Sequence, residues 1–286
     1  MERKSTAVLL INCPDQRGLV ARVAQFIYQN NGNILHSDHH TDAESGLFLM
    51  RIEWELEGFS IPREKLAETF APQAAALNLT WQLHLSDPLP RMAIFVSKQS
   101  HCLYDLLWRH RAGELAAELV LVVSNHTELA SEVERHGIPF VVFPITPETK
   151  KEQEQRELEL LAEKKVDLVV LARYMQILGR QMVDRYPHRI INIHHSFLPA
   201  FVGARPYHQA HERGVKLIGA TSHYVTAELD EGPIIEQDVV RISHRDTVED
   251  LIRKGRDLER VVLARAVRFH LEHRILPYGR KTVVFD

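Results

Sequence analysis

Cysteine is scarce. The 286 residues hold two, Cys13 and Cys102. They lie far apart, and neither sits in a CxxC or metal-ligand spacing. That excludes a disulfide framework and suits a reducing compartment, the cytoplasm. There is no excess of one charge either: 35 Lys and Arg stand against 38 Asp and Glu, a formal net charge of −3. Without a basic field, nucleic acid is not an expected partner. No window approaches the roughly 18 apolar residues that a membrane span needs, so no membrane partner is expected. The opening MERKSTAVLLINCPDQRG starts basic and then turns apolar. Its apolar run of roughly seven residues is short for a secretion signal and alternates into a plausible strand. Internal repeats and low-complexity tracts are absent.

What is present is ordinary for a globular protein: 45% hydrophobic and 26% charged residues. The length suits two domains. SDPLPR at 86–91, with two prolines and no periodicity, reads as the linker between a domain at 1–86 and another at 91–286. In the first, 6–12 is an apolar run of strand length. Leu19, Val20, Val23, Phe26 and Ile27 carry helical spacing, stopped by Gly32. Runs at 33–41 and 46–55 read as two strands joined by a hairpin loop. A helix is predicted over 60–77, with Ser60 as N-cap, Pro62 in its first turn and Pro72 kinking or shortening it. A strand at 79–85 closes the unit. The βαββαβ order is ferredoxin-like.

The second unit alternates strands and helices, predicting a Rossmann-like, mostly parallel α/β sheet covered on both faces. Nearly continuous apolar runs at 92–96, 119–123, 140–143, 168–172 and 190–193 suit buried parallel strands. Helical stretches fall near 101–112, 127–136, 148–164 and 178–185. Alternating runs at 220–226 and 233–241 predict an antiparallel addition. A long helix starts near Asp246, with Asp246 and Glu249 as a capping box, and continues to about His273.

The candidate chemistry lies where INIHHSFLP (191–199) leaves a parallel strand, since ligands gather outside the carboxyl ends of such strands. Asn192 and His194, two apart, share one face of an extended segment. An amide and an imidazole there can stabilise one developing oxyanion, and the imidazole can pass a proton to a leaving amine. In HYVTAELDEGP (223–233), Asp230 and Glu231 before Gly-Pro have the composition of a turn. His36, Asp38 and His40, with His39 beside them, could share a strand face as metal ligands. Polar alternation on an exposed strand explains them as well, and no metal is expected.

NIHHSFLPAF followed by GATSHYVTAELDEGPII resembles the folate-dependent formyltransferase family over most of 91–286. The resemblance places Asn192, His194 and Asp230 on that family's catalytic asparagine, histidine and aspartate. It places LARYMQIL (171–178) on the stretch lining the folate pocket. There Arg173, Met175, Ile177 and Leu178, with His223, are the implied substrate-binding positions; backbone polar groups are expected to read the pterin edge and the apolar side chains to wall it. PDQRGL (14–19), at the first strand–helix junction, resembles the effector loop of an ACT domain. This implies Asp15 and Gly18 as effector-binding positions, an amino acid such as methionine or glycine as effector, and a homo-oligomer, since ACT units often pair.

Taken together, the resemblances imply hydrolysis of 10-formyltetrahydrofolate to formate and tetrahydrofolate, with folate as substrate and no further cofactor. The alternative is formyl transfer to an amine such as glycinamide ribonucleotide. Transferases of that kind hold the ribotide phosphate in a glycine-rich loop after the first strand. Here the corresponding stretch, SKQSHCL at 97–103, contains no glycine. A glycine-free turn wraps backbone N–H groups less closely around a phosphate, although Lys98 could meet one as a point charge. A small second substrate, water, fits best.

Overall fold

The computed structural model describes residues 5–199 and 205–285. The basic start of the chain, Met1 to Lys4, and the Ala200-Phe201 end of the NIHHSFLPAF motif lie outside the described residues. The chain divides into two compact units. One takes in Met1–Leu89, His273–Leu276 and Val283–Asp286, the other Pro90–Glu272 and Pro277–Thr282. The sequence assigned all of 91–286 to the second unit, whereas these two C-terminal segments cluster with the first.

The first unit runs β1 (Thr6–Pro14), α1 (Leu19–Gln29), β2 (Ile34–Asp42), β3 (Leu47–Glu55), α2 (Arg63–Ala76) and β4 (Thr80–Leu85). The sheet order is β2-β3-β1-β4, all pairs antiparallel, which is the ferredoxin-like topology read from the sequence. β1 is central, so its residues from Thr6 to Ile11 are buried on both faces. α1 buries Leu19, Val23 and Ile27, one per turn. α2 corrects two expectations. Its N-cap is the extended Pro62 rather than Ser60, and Pro72 lies inside a helix that continues to Ala76. The helix buries Leu66, Phe70 and Ala74, while Pro72 is exposed. Water can therefore satisfy the carbonyl that the proline leaves without a donor.

The second unit runs β5 (Arg91–Val96), α3 (His101–Arg111), β6 (Glu118–Ser124), α4 (Ala130–Glu134), β7 (Phe140–Val142), α5 (Lys150–Glu163), β8 (Leu168–Ala172), α6 (Arg180–Arg185), β9 (Ile190–His194), α7 (Pro206–Glu212), β10 (Leu217–Tyr224), β11 (Ile234–Arg241) and α8 (Val248–Leu271). A hairpin, β12 (Ile275–Tyr278) and β13 (Lys281–Val284), follows. The sheet order is β11-β10-β9-β8-β5-β6-β7. Its β5, β6, β7, β8 and β9 pair in parallel, and β10 and β11 add antiparallel. α7 and the final hairpin were not expected from the sequence. α8 is capped by Thr247 with Asp250, not by Asp246 with Glu249. Asp246 instead accepts from Ser243 N at 2.7 Å and pairs with Lys254 at 2.8 Å.

Candidate functional site

The C-terminal ends of β8 and β9 carry the polar side chains of the sheet's edge. β9 sits between parallel β8 and antiparallel β10, so the Asn192–His194 face meets the end of β10. Asn192 and His223 are direct cross-strand partners. Asn192 Nδ2 lies 3.2 Å from His223 Nε2, and His223 Nδ1 lies 2.9 Å from the Tyr224 carbonyl. The carbonyl can only accept, which puts the His223 proton on Nδ1 when the ring is neutral. Nε2 then accepts from the Asn192 amide and fixes which way that amide faces. The second N–H of Asn192 stays available to a ligand.

Asp230 arrives from the β10–β11 connection. Its Oδ2 is 3.2 Å from His194 Nδ1 and its Oδ1 is 3.6 Å from His223 Nε2. The hydrogen bond from His194 first, and then the nearby His223 ring, hold the Asp230 carboxyl well below the usual carboxylate range, overcoming the opposing effect of its burial. Asp230 adopts a left-handed backbone, φ 56°, a conformation that costs a non-glycine residue free energy and that surrounding contacts must enforce. One such constraint is the closure of the loop onto β10. Tyr224 N donates to Pro233 O at 2.9 Å, and a Cβ on Gly232 would stand 1.7 Å from the Tyr224 carbonyl. Only glycine permits that approach.

His194 Nε2 is buried and has no hydrogen-bond partner. With Nδ1 turned to Asp230, Nε2 is the ring atom left to meet a substrate. The segment that follows is pinned by one hydroxyl: Thr221 Oγ1 donates to Ser196 O at 2.9 Å and accepts from Leu198 N at 3.1 Å and Gln237 Nε2 at 2.9 Å. His195 is held down to about 4, by burial first and by the Arg173 charge second.

The positions implied for the folate pocket separate into two groups. Met175 and Ile177 are exposed, at 61% and 59%, on the segment leaving β8, and Leu178 is half-buried. Arg173 instead turns inward. It is 6% exposed, and its Nε lies 3.5 Å from Glu259 Oε2 on α8, so a pterin contact from Arg173 would have to come through its backbone. His223 is buried against Asn192 and Asp230. In the other unit, Asp15 and Gly18 lie in the exposed β1–α1 turn. Gly18 has φ 87°, and Asp15 N donates to Gly46 O at 2.9 Å.

The sequence reading missed Glu259 and what gathers on it. Glu259 is buried, accepts from Tyr207 Oη at 2.6 Å and meets His101 Nε2 at 2.8 Å. A signal did exist: Leu251, Gly255 and Glu259 recur every four residues, so this glutamate falls on the apolar face of α8. Gly255 serves that arrangement, since a Cβ there would lie 2.1 Å from the Tyr207 hydroxyl. Among the described residues, His101, Cys102 and Glu259 are the one grouping of His, Cys, Asp and Glu side chains close enough to share a metal ion, so His36, Asp38 and His40 form no such cluster. The chemistry of the grouping does not suit a cation. Both Glu259 oxygens are engaged, the Arg173 guanidinium is adjacent, and burial pushes the Cys102 thiol well up.

A ferredoxin-like unit of ACT type, then a parallel α/β unit with Asn, His and Asp meeting at its strand ends, defines the ACT-fused class of formyl-transfer proteins. Comparison with known proteins agrees. The family described as formyl transferase matches residues 90–267, and the ACT domain matches residues 7–71. A formyltetrahydrofolate deformylase from Synechocystis sp. is 64% identical over 98% of this chain and 98% of its own length. The crystal structure of a formyltetrahydrofolate deformylase from Pseudomonas syringae superposes with a TM-score of 0.97 at 49% identity, covering 100% of this chain and 96% of that one. Glycinamide ribonucleotide transformylase 1 from Symbiobacterium toebii, at 33% identity, covers 72% of this chain and 98% of its own, with a TM-score of 0.66. The chain belongs to the formyltetrahydrofolate deformylase family.

Proposed function

We propose that the chain hydrolyses 10-formyltetrahydrofolate to formate and tetrahydrofolate, with Asn192, His194 and Asp230 as catalytic residues. The observation that carries this reading is the buried, unpartnered His194 Nε2, backed at Nδ1 by an ionised Asp230. Water attacks the formyl carbon and Asp230 takes its proton. The carbonyl oxygen becomes an oxyanion, met by the spare N–H of Asn192 and by His194 Nε2–H. N10 receives a proton, directly from His194 or by relay, the C–N10 bond breaks, and both products leave. Folate is the substrate, and the reaction calls for no cofactor. Met175, Ile177 and Leu178 supply apolar wall to the pterin.

Hydrolysis is favoured over transfer to an amine by the loop after β5. His101, the first residue of α3, has its side chain engaged by the buried Glu259 rather than turned to a ligand. Lys98, the only cation in residues 97–100, lies 3.7 Å from Glu128. An unanchored amine loses the positioning that can lower a barrier by about 7–11 kcal/mol, whereas water is always present. Asp230→Asn should lower turnover roughly 100-fold or more while folate still binds. Near-normal turnover in that variant would sink the catalytic assignment. Formate should appear at the same rate with or without glycinamide ribonucleotide, and formylated ribotide as the main product would install the transferase reading instead.

The first unit is read as the regulatory and pairing module of a homo-oligomer, taking an amino acid such as methionine or glycine at Asp15 and Gly18. A cytoplasmic setting and a role in balancing folate one-carbon units for purine synthesis follow from the same reading. Adding either amino acid to the intact chain should change the rate of formate release, and an unchanged rate leaves the unit as a pairing module alone.

A further inference from the structure

Arg173 combines features that a structural ion pair does not need. It holds a left-handed backbone, φ 64°, immediately after β8, where glycine would be free of strain. Its guanidinium is buried, and Nε has an ion-pair contact with Glu259 but no hydrogen-bond partner. Its carbonyl accepts from Ser97 N at 3.2 Å, tying it to the loop after β5. On its other side β8 pairs in parallel with β9, Leu171 opposite Asn192, so Arg173 follows β8 on the side of His194. Arg173 therefore stands between the loop that lacks glycine and the catalytic edge, clamped from α8 by a glutamate that Tyr207 and His101 also hold.

We propose that Arg173 is a specificity-determining residue, whose guanidinium, locked onto Glu259, fills the space beside His194 and His195 that an amine acceptor would need. The inference rests on the hydrolytic reading given above. Water reaches the formyl carbon past this plug, and a primary amine does not. The cost of a strained backbone and a buried cation is then the cost of exclusion.

The test is product partition in the full chain. Arg173→Gly relieves the strained backbone and vacates the space, and R173K keeps the charge. Each is incubated with 10-formyltetrahydrofolate and an excess of glycinamide, following formate and N-formylglycinamide above the enzyme-free rate. In R173G the amine nitrogen attacks the formyl carbon, its proton passes to N10, and the C–N10 bond breaks. The formylated amine should rise to roughly a tenth or more of all product, while the unaltered chain and R173K give formate alone. If R173G fails to fold, R173G/E259Q takes its place, since it leaves no unpaired buried charge. A folded variant that releases formate but formylates no amine overturns the proposal. So does one that binds folate yet releases no formate, because Arg173 would then serve hydrolysis itself. Asp230→Asn separates the two readings: its normal turnover would overturn the hydrolytic site whatever R173G does.

Discussion

Arg173 and Tyr174 are consecutive, and each ends on a buried glutamate from a different helix. Arg173 meets Glu259 of α8, and Tyr174 Oη donates to Glu157 of α5 at 2.6 Å. The two carboxyls are equally buried, each 1% exposed, and each accepts a tyrosine hydroxyl at 2.6 Å. Their charge states nevertheless diverge. Burial raises Glu157 to about 7, with the Tyr174 hydrogen bond only partly opposing it. Burial also pushes Glu259 up, but His101 and Arg173 outweigh it and hold the group below its ordinary value. One strand end thus builds a carboxyl that can stay protonated and another that stays ionised. Burial and a tyrosine do not fix a carboxylate's charge; a cation and a second strong donor do.

The larger test of this contrast is pH. A carboxyl raised in the fold contributes stability that is complete below its unfolded value and is lost as pH rises through its folded value. For Glu157 that window runs from about 4.5 to about 7. Glu157→Gln removes the titration. In urea unfolding, the stability difference between the intact chain and E157Q should fall by roughly 1.4 kcal/mol per pH unit across the window, roughly 3 kcal/mol in all. Glu259→Gln should show the opposite slope, its stabilising ionised carboxylate being lost as pH falls through a depressed value. A pH-independent difference for E157Q would mean that Glu157 is ionised in the fold, and the contrast would collapse.

The two glutamates also mark where sequence reasoning stopped. Both units, the ferredoxin-like order and the parallel sheet with its antiparallel addition were legible, because periodicity and turn residues are local signals. Asn192, His194 and Asp230 were legible through the motifs that contain them, and the fold brings all three together, although Asp230 lies far from the others in sequence. Arg173 was legible only as a member of the stretch that the resemblance assigns to a folate pocket. Nothing in LARYMQIL announces a left-handed backbone or a side chain turned inward. Glu157 and Glu259 sit in charged helical runs, KKEQEQRELELL and RKGRDLERVV, where most acidic residues face water. Their burial depends on which stripe of the helix meets the sheet, a tertiary fact. α7 was missed because it is short, and Pro72 misled because a proline on an exposed helical face is tolerated.

The smaller test compares the tyrosines. Tyr207→Phe removes a donor from an ionised, buried Glu259, and hydrogen bonds to charged groups are worth roughly 1.5–3 kcal/mol. Tyr174→Phe removes one from Glu157, which is mainly protonated below about 7. A bond to a neutral acceptor is worth about 1 kcal/mol, so at mildly acid pH Y174F should be the milder change. Raising the pH should reverse this. Once Glu157 ionises, it depends on the Tyr174 hydroxyl as Glu259 depends on Tyr207, but with no arginine beside it. The cost of Y174F should therefore climb with pH to meet or exceed that of Y207F, which should stay level because Glu259 is already charged. Thermal unfolding of both variants at mildly acid and mildly alkaline pH reads this directly. Parallel behaviour of the two across that range would show that the hydroxyls act by packing alone, and that the charge of a buried carboxyl at this strand end is not set by its donors.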